Sequence, residues 1–221
     1  MCGRFVLDAD KRELMERFLL EALPEEVPPR YNIAPTQPVL TVMRDEGTMK
    51  ADWFRWGLVP AWSDSPHPRF RMINARAETL AEKPSWRRLL KRRRCLIPAT
   101  GYYEWKAVSG KKQPYLIRLP GGKLFSFAGL WDEWERDGQV IRSCTIITTE
   151  ANERARDVHD RMPVILTPQT ETMWLDMQDT DPGVYRELLM SVPDPDLEMY
   201  PVSTRVNSPK AEGEHLIHPV E

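Results

Sequence analysis

The sequence predicts a single α+β domain spanning residues 1–221, built on a curved, mostly antiparallel, barrel-like β-sheet with flanking helices. Two observations lead there. Short segments rich in β-branched and aromatic residues recur along the chain, bounded by Gly, Pro and Asp. Helical segments fall between them irregularly, without the βαβ alternation of a doubly wound parallel sheet.

Taken in order, Asp10-Lys11-Arg12-Glu13 has the form of a capping box, and Leu14, Phe18 and Ala22 share one helical face. Pro24, Pro28 and Pro29 are expected to end that helix. Strand character follows at 39–43, 51–56, 94–97, 115–119, 124–130, 140–148 and 163–166. Helices are expected over 85–93, 151–160, 168–177 and 182–189. The tail from Pro193, with five prolines, is expected to wrap the surface or to be partly loose, and to be peripheral beyond about residue 205.

Composition narrows the function. Hydrophobic residues make up 41% and charged residues 29% of the chain, as in a soluble globular protein. No apolar run approaches the roughly 20 residues needed to span a bilayer, and the N-terminus lacks a signal-peptide layout. A cytoplasmic protein is expected, with no membrane partner. The three cysteines Cys2, Cys95 and Cys144 are far apart and form neither a disulfide framework nor a zinc knuckle. With four histidines, no metal site or cofactor is expected.

The net charge of −2 hides an asymmetry. Residues 69–94 carry ten Lys/Arg and two acids, whereas 176–221 carry ten acids and three bases. A basic stripe on an otherwise acidic chain is either a solvated helix face or an electrostatic footprint for nucleic acid.

Cys2 is the most informative residue. Removal of Met1 would leave a free amine and a thiol on adjacent carbons, both partly deprotonated near neutrality. That pair condenses with an aldehyde: the amine forms a Schiff base and the thiol closes a five-membered ring. Asn74 and Arg76, in Asn74-Ala75-Arg76-Ala77-Glu78-Thr79, point the same way if the segment is extended, and suit a phosphate or sugar oxygen. A capped turn is the blander reading. Glu104 lies among aromatics in Gly101-Tyr102-Tyr103-Glu104-Trp105, where burial would raise its pKa; otherwise it faces solvent on an edge strand. His159, at a helix–strand junction in His159-Asp160-Arg161-Met162-Pro163, suits a proton shuttle or a helix-end contact.

Eight segments together resemble one family. They are the three just quoted, from Asn74, Gly101 and His159, with Met1-Cys2-Gly3-Arg4, Tyr31-Asn32-Ile33-Ala34-Pro35-Thr36, Trp56-Gly57-Leu58-Val59-Pro60, Arg94-Cys95-Leu96-Ile97-Pro98-Ala99 and Phe127-Ala128-Gly129-Leu130-Trp131. In their order along the chain, over roughly residues 1–205, they resemble the SRAP (SOS-response-associated peptidase) family, whose members crosslink to abasic sites in single-stranded DNA. The resemblance implies that Cys2 is the crosslinking residue, that Asn74 orients the amine and sugar, that Glu104 is the acid/base and that His159 assists proton transfer. It implies Arg4, Arg76 and Thr148 as phosphate contacts, and abasic single-stranded DNA as the partner of a monomer. A lyase outcome follows if the ring fails to close. The alternative is a peptidase that removes its own Met1.

Overall fold

The computed structural model describes residues 2–67, 72–176, 181–190, 193 and 195–220. Its strands are Phe5–Leu7 (β1), Arg30–Ile33 (β2), Pro38–Asp45 (β3), Thr48–Trp56 (β4), Asn74–Arg76 (β5), Arg94–Ala99 (β6), Gly101–Val108 (β7), Lys111–Arg118 (β8), Phe125–Arg136 (β9), Gln139–Glu150 (β10), Arg161–Pro163 (β11), Ile165–Leu166 (β12) and Glu198–Pro201 (β13). The helices are Lys11–Phe18 (α1), Pro84–Arg92 (α2), Glu153–Arg156 (α3), Pro168–Asp176 (α4) and Pro182–Met190 (α5).

The larger sheet closes on itself. β10 pairs with β4, β4 with β3, β3 with β6, β6 with β9, and β9 again with β10. The barrel-like α+β domain is therefore present. Its pairings are antiparallel except where β10 runs parallel to β4 and to β5. The reason is local. β4 ends at Trp56, opposite Cys144, and Gly57 turns the chain away at φ 117°. After that excursion, β5 resumes the same line along β10, with Asn74 opposite Ile146 and Arg76 opposite Thr148. The second sheet has the order β13-β8-β7-β1-β2.

Two helices are shorter than periodicity suggests. Asp10 caps α1 through the Glu13 N–H at 2.8 Å, but the helix stops at Phe18, before Ala22 and all three prolines. Leu19 turns left-handed there, with φ 53°. Within 151–160, only Glu153–Arg156 is α-helical. Asn152 caps it, and the Ala151 N–H bonds back to the Asp160 carbonyl at 3.0 Å, closing a compact loop that leaves His159 on its outgoing turn.

The tail is tightly held. Val202, Val206 and Leu216 are buried against Val6, Tyr103 and Leu116 on the outer face of the second sheet. Asn32 donates to the carbonyls of Ser208 and Ala211 at 2.9 and 2.8 Å, and Glu212 accepts from the Tyr31 N–H at 2.6 Å. It wraps the surface as expected, but as a packed cover for β1 and β7. No helix among the described residues is long and apolar enough to cross a membrane.

Candidate functional site

The site starts from the pairing of β1 with β7. Phe5 lies opposite Tyr102, and the Tyr103 N–H donates to the Arg4 carbonyl at 2.9 Å, extending the pairing towards the N-terminus. Opposed residues of an antiparallel pair share a face, and neighbours along a strand alternate. Phe5, Tyr102 and Glu104 therefore look into the barrel side, while Arg4, Val6 and Tyr103 look outward. Phe5 packs edge-on against Trp56 and Phe127, with ring centroids 5.3 and 5.6 Å apart. These rings make a rigid apolar floor.

Cys2 belongs to that main core and is fully enclosed. Burial pushes its thiol well above the ordinary cysteine range, and the nearby Glu104 carboxylate adds to the shift. Glu104 is itself 3% exposed. Burial raises its pKa to about 7, and the charge of Asp160 contributes in the same direction. β7 is the third of five strands, so the edge-strand reading of Glu104 does not hold. A carboxyl group poised near neutrality beside Cys2 can take or give a proton at ordinary pH.

Asp160 links Glu104 to the next element. His159 precedes it and is partly exposed, at 30%. Its Nδ1 accepts the Arg161 N–H at 3.0 Å and also lies 2.9 Å from Asp160 Oδ1. The second contact is attractive only with a proton on Nδ1, which the first forbids. Burial lowers the His159 pKa, so the neutral ring with Nδ1 as acceptor prevails and the proton sits on Nε2. Lys112, on the hairpin that carries Glu104, acts in the same sense on His159. The structure thus gathers Cys2, Glu104 and the His159 turn from three distant parts of the chain.

Asn74 opens β5, so the extended alternative holds for 74–76, and the turn of the blander reading follows it at Ala77–Thr79. Both polar atoms of its carboxamide are out of solvent and have no hydrogen-bond partner. An unsatisfied buried amide costs about 1–3 kcal/mol, so this one is ready for a ligand. Arg76, two residues on, is exposed. Among the described residues its guanidinium makes no hydrogen bond or ion pair.

Two expected phosphate contacts are placed differently. Arg4 is 8% exposed and faces outward beneath the tail, donating to Asn32 Oδ1 at 2.8 Å and the Val206 carbonyl at 2.6 Å. Thr148 is 1% exposed, and its carbonyl accepts from Arg161 at 2.9 Å. Both serve the framework here. The basic stripe is also divided. Arg94 turns inward to the Trp174 carbonyl, Arg88 pairs with the buried Asp132, and Arg93 stacks over Trp131 at 4.1 Å. Arg87, Lys91 and Arg92 remain exposed on α2, and Arg69 and Arg71 lie outside the described residues. A charge count could not separate these fates, because each depends on an aromatic ring, carboxylate or carbonyl distant in sequence.

Sequence reasoning missed Tyr102. Its hydroxyl is buried without a partner, and burial, then Cys2 and Glu104, drive its pKa upward. The available signal was the two-residue step from Tyr102 to Glu104, which puts them on one strand face.

Comparison with known proteins places the chain among relatives. Residues 1–209 match the family described as SOS response associated peptidase (SRAP). The abasic site processing protein YoqW of Bacillus subtilis is 46% identical, over 98% of this chain and 99% of that protein. The abasic site processing protein YedK of Escherichia coli is 32% identical, over 100% of both. A solved structure of a Bacteroides thetaiotaomicron protein superposes with a TM-score of 0.83 at 26% identity, over 100% of both chains.

Proposed function

The chain belongs to the SOS response associated peptidase family, and from that premise we propose that it processes abasic sites in single-stranded DNA through a covalent bond to Cys2. The observation that carries this reading is the enclosed Cys2 beside Glu104, whose pKa is raised to about 7.

An abasic deoxyribose is mostly a closed hemiacetal. Ring opening moves the proton of the anomeric hydroxyl away and delivers one to the ring oxygen, a task for Glu104 in its protonated form. With Met1 removed, the Cys2 amine adds to the exposed aldehyde carbon, and water leaves to give an imine. The Cys2 thiol adds to the same carbon, its proton passing to the nitrogen, which closes a thiazolidine. The balance is amine, thiol and aldehyde in, thiazolidine and one water out. His159, neutral with its proton on Nε2, suits the carbinolamine and imine steps. Asn74 offers an unpaired donor and acceptor to the amine and sugar. Arg76 supplies an exposed cation for a flanking phosphate. If ring closure is slow, loss of a proton from the carbon next to the imine expels the 3′ phosphate, which is lyase-type cleavage.

Release of Met1 by the protein's own site is a second reading. Glu104, able to deprotonate near neutrality beside Cys2, favours it. General proteolysis would further require an activated nucleophile and oxyanion donors.

Intact mass spectrometry of the Met1-free protein with abasic single-stranded DNA tests the proposal. The expected product has the combined mass less one water and survives heating. Absence of that product, or its formation by protein retaining Met1, overturns the thiazolidine mechanism. A parallel incubation of freshly made Met1-bearing protein, wild type and Glu104→Gln, reads self-processing as loss of the methionine mass.

A further inference from the structure

We infer that Arg161 is a positioning residue for this reaction, joining the turn that holds His159 to the strand that holds Asn74. The inference rests on the abasic-site reading above and adds to it a residue that acts through His159.

Two separate groups of Arg161 are engaged. Its backbone N–H donates to His159 Nδ1 at 3.0 Å. Its guanidinium grips Glu78 with two parallel bonds, Nη1 to Oε1 at 2.7 Å and Nη2 to Oε2 at 3.0 Å. The same Nη2 donates to the Thr148 carbonyl at 2.9 Å. Glu78 sits in the single helical turn Ala77–Thr79 that follows β5, four residues after Asn74. Thr148 is the β10 residue opposite Arg76. One side chain therefore ties the turn after β5 to β10 and β11.

This pair differs from an ordinary surface bridge, which contributes little. Its side chains are 12% and 26% exposed, and the contact is bidentate. Burial acts to raise the Glu78 pKa, yet the Arg161 hydrogen bonds and charge, together with backbone hydrogen bonds, outweigh it and hold the carboxyl below its usual range. Lysine cannot reproduce the planar fork. The grip fixes the backbone of residue 161, and that backbone N–H fixes the His159 tautomer. A group that holds the other nitrogen of a working imidazole sets which nitrogen carries the proton.

The test compares wild type with Arg161→Lys and Glu78→Gln. Single-turnover crosslinking is measured across concentrations of abasic single-stranded DNA, and long-range nitrogen–proton NMR reads the His159 tautomer. The maximal rate should fall about tenfold or more, because small misplacements of reacting groups are costly. Half-saturation should stay within about twofold, and the His159 signals should move towards a tautomer mixture. Should Arg161→Lys fail to fold, the near-isosteric Glu78→Gln carries the comparison. Wild-type rates in the variants overturn the inference. So does a slower rate with the His159 signals unchanged. If wild type itself forms no adduct, the abasic-site reading fails, and the His159 tautomer alone then decides the role of Arg161.

Discussion

The two faces of the β1–β7 pair differ in what their polar residues do. On the barrel side, Glu104 is buried with a pKa near neutrality, and in the barrel sheet Asn74 of β5 keeps an unpaired amide. On the outer side, Arg4 is just as hidden, but its guanidinium is spent on Asn32 and the Val206 carbonyl. Burial alone therefore does not identify a working residue. A polar group kept ready for chemistry carries an energetic penalty, and Arg4 offsets part of its own through Nη1 while its Nε stays unpartnered. Cys2 and Arg4, two residues apart, fall on opposite sides of this division.

The sharpest way to break the comparison is at Cys2. Cys2→Ala should abolish the heat-stable adduct, while a Schiff base and strand cleavage can persist through the terminal amine. Cys95→Ala and Cys144→Ala remove equally buried thiols on β6 and β10 and should leave crosslinking intact. A stable adduct from Cys2→Ala, seen by denaturing electrophoresis, would show that the working face has another nucleophile.

Arg4→Ala probes the opposite side. It deletes two charge-assisted hydrogen bonds and leaves buried acceptors unpaired, so denaturant unfolding should show a loss of roughly 3–5 kcal/mol. A loss below about 0.5 kcal/mol combined with weaker DNA binding would restore Arg4 as a phosphate contact.

These two positions also show what was legible in the sequence. Glu104 among aromatics was readable, because burial of a carboxyl between rings has one direction of effect. The Asn74 segment was readable only as an alternative between strand and capped turn, and β5 is a strand of three residues that its pairing with β10 defines. β1 was not, since Phe5-Val6-Leu7 is buried on both faces and shows no alternation. The cause is the tail, which covers the outer face. The same tail accounts for Arg4, whose partner Val206 is 202 residues away. Long strands β9 and β10 were located from composition, but not their ring closure with β6, β3 and β4, which is set by tertiary packing.

Glu104→Gln sharpens the comparison through pH. Burial lifts Glu104 from an ordinary 4.5 to about 7, so folding favours its protonated form. Wild-type stability contributed by this group is then complete at low pH and is lost as pH rises from about 4.5 through about 7. Glutamine has no such transition. The variant should match wild type at pH 4.5 and gain on it by up to ~3 kcal/mol above pH 7, even as crosslinking slows. A constant difference across that window, by thermal denaturation, would mean that Glu104 is already ionised in the folded protein.

Arg76→Ala is expected to change least in the fold and to be selective in function. Arg76 is the last residue of β5, exposed, with its backbone aligned to Thr148 and its guanidinium unpaired among the described residues. Its removal takes away no packing and no bond, so stability should stay within about 0.5 kcal/mol of wild type. If the cation instead meets a phosphate, it releases about one counterion on binding. The slope of log affinity against log salt should then flatten by about one unit, equally for all DNA sequences. Fluorescence anisotropy with single-stranded DNA bearing an unreactive abasic analogue measures this without interference from crosslinking. Arg4→Ala in the same titration supplies the contrast: its salt slope should remain that of wild type at temperatures where it is folded. An unchanged slope for Arg76→Ala would remove Arg76 from the DNA path and leave the exposed α2 residues Arg87, Lys91 and Arg92 as the remaining carriers of the basic stripe.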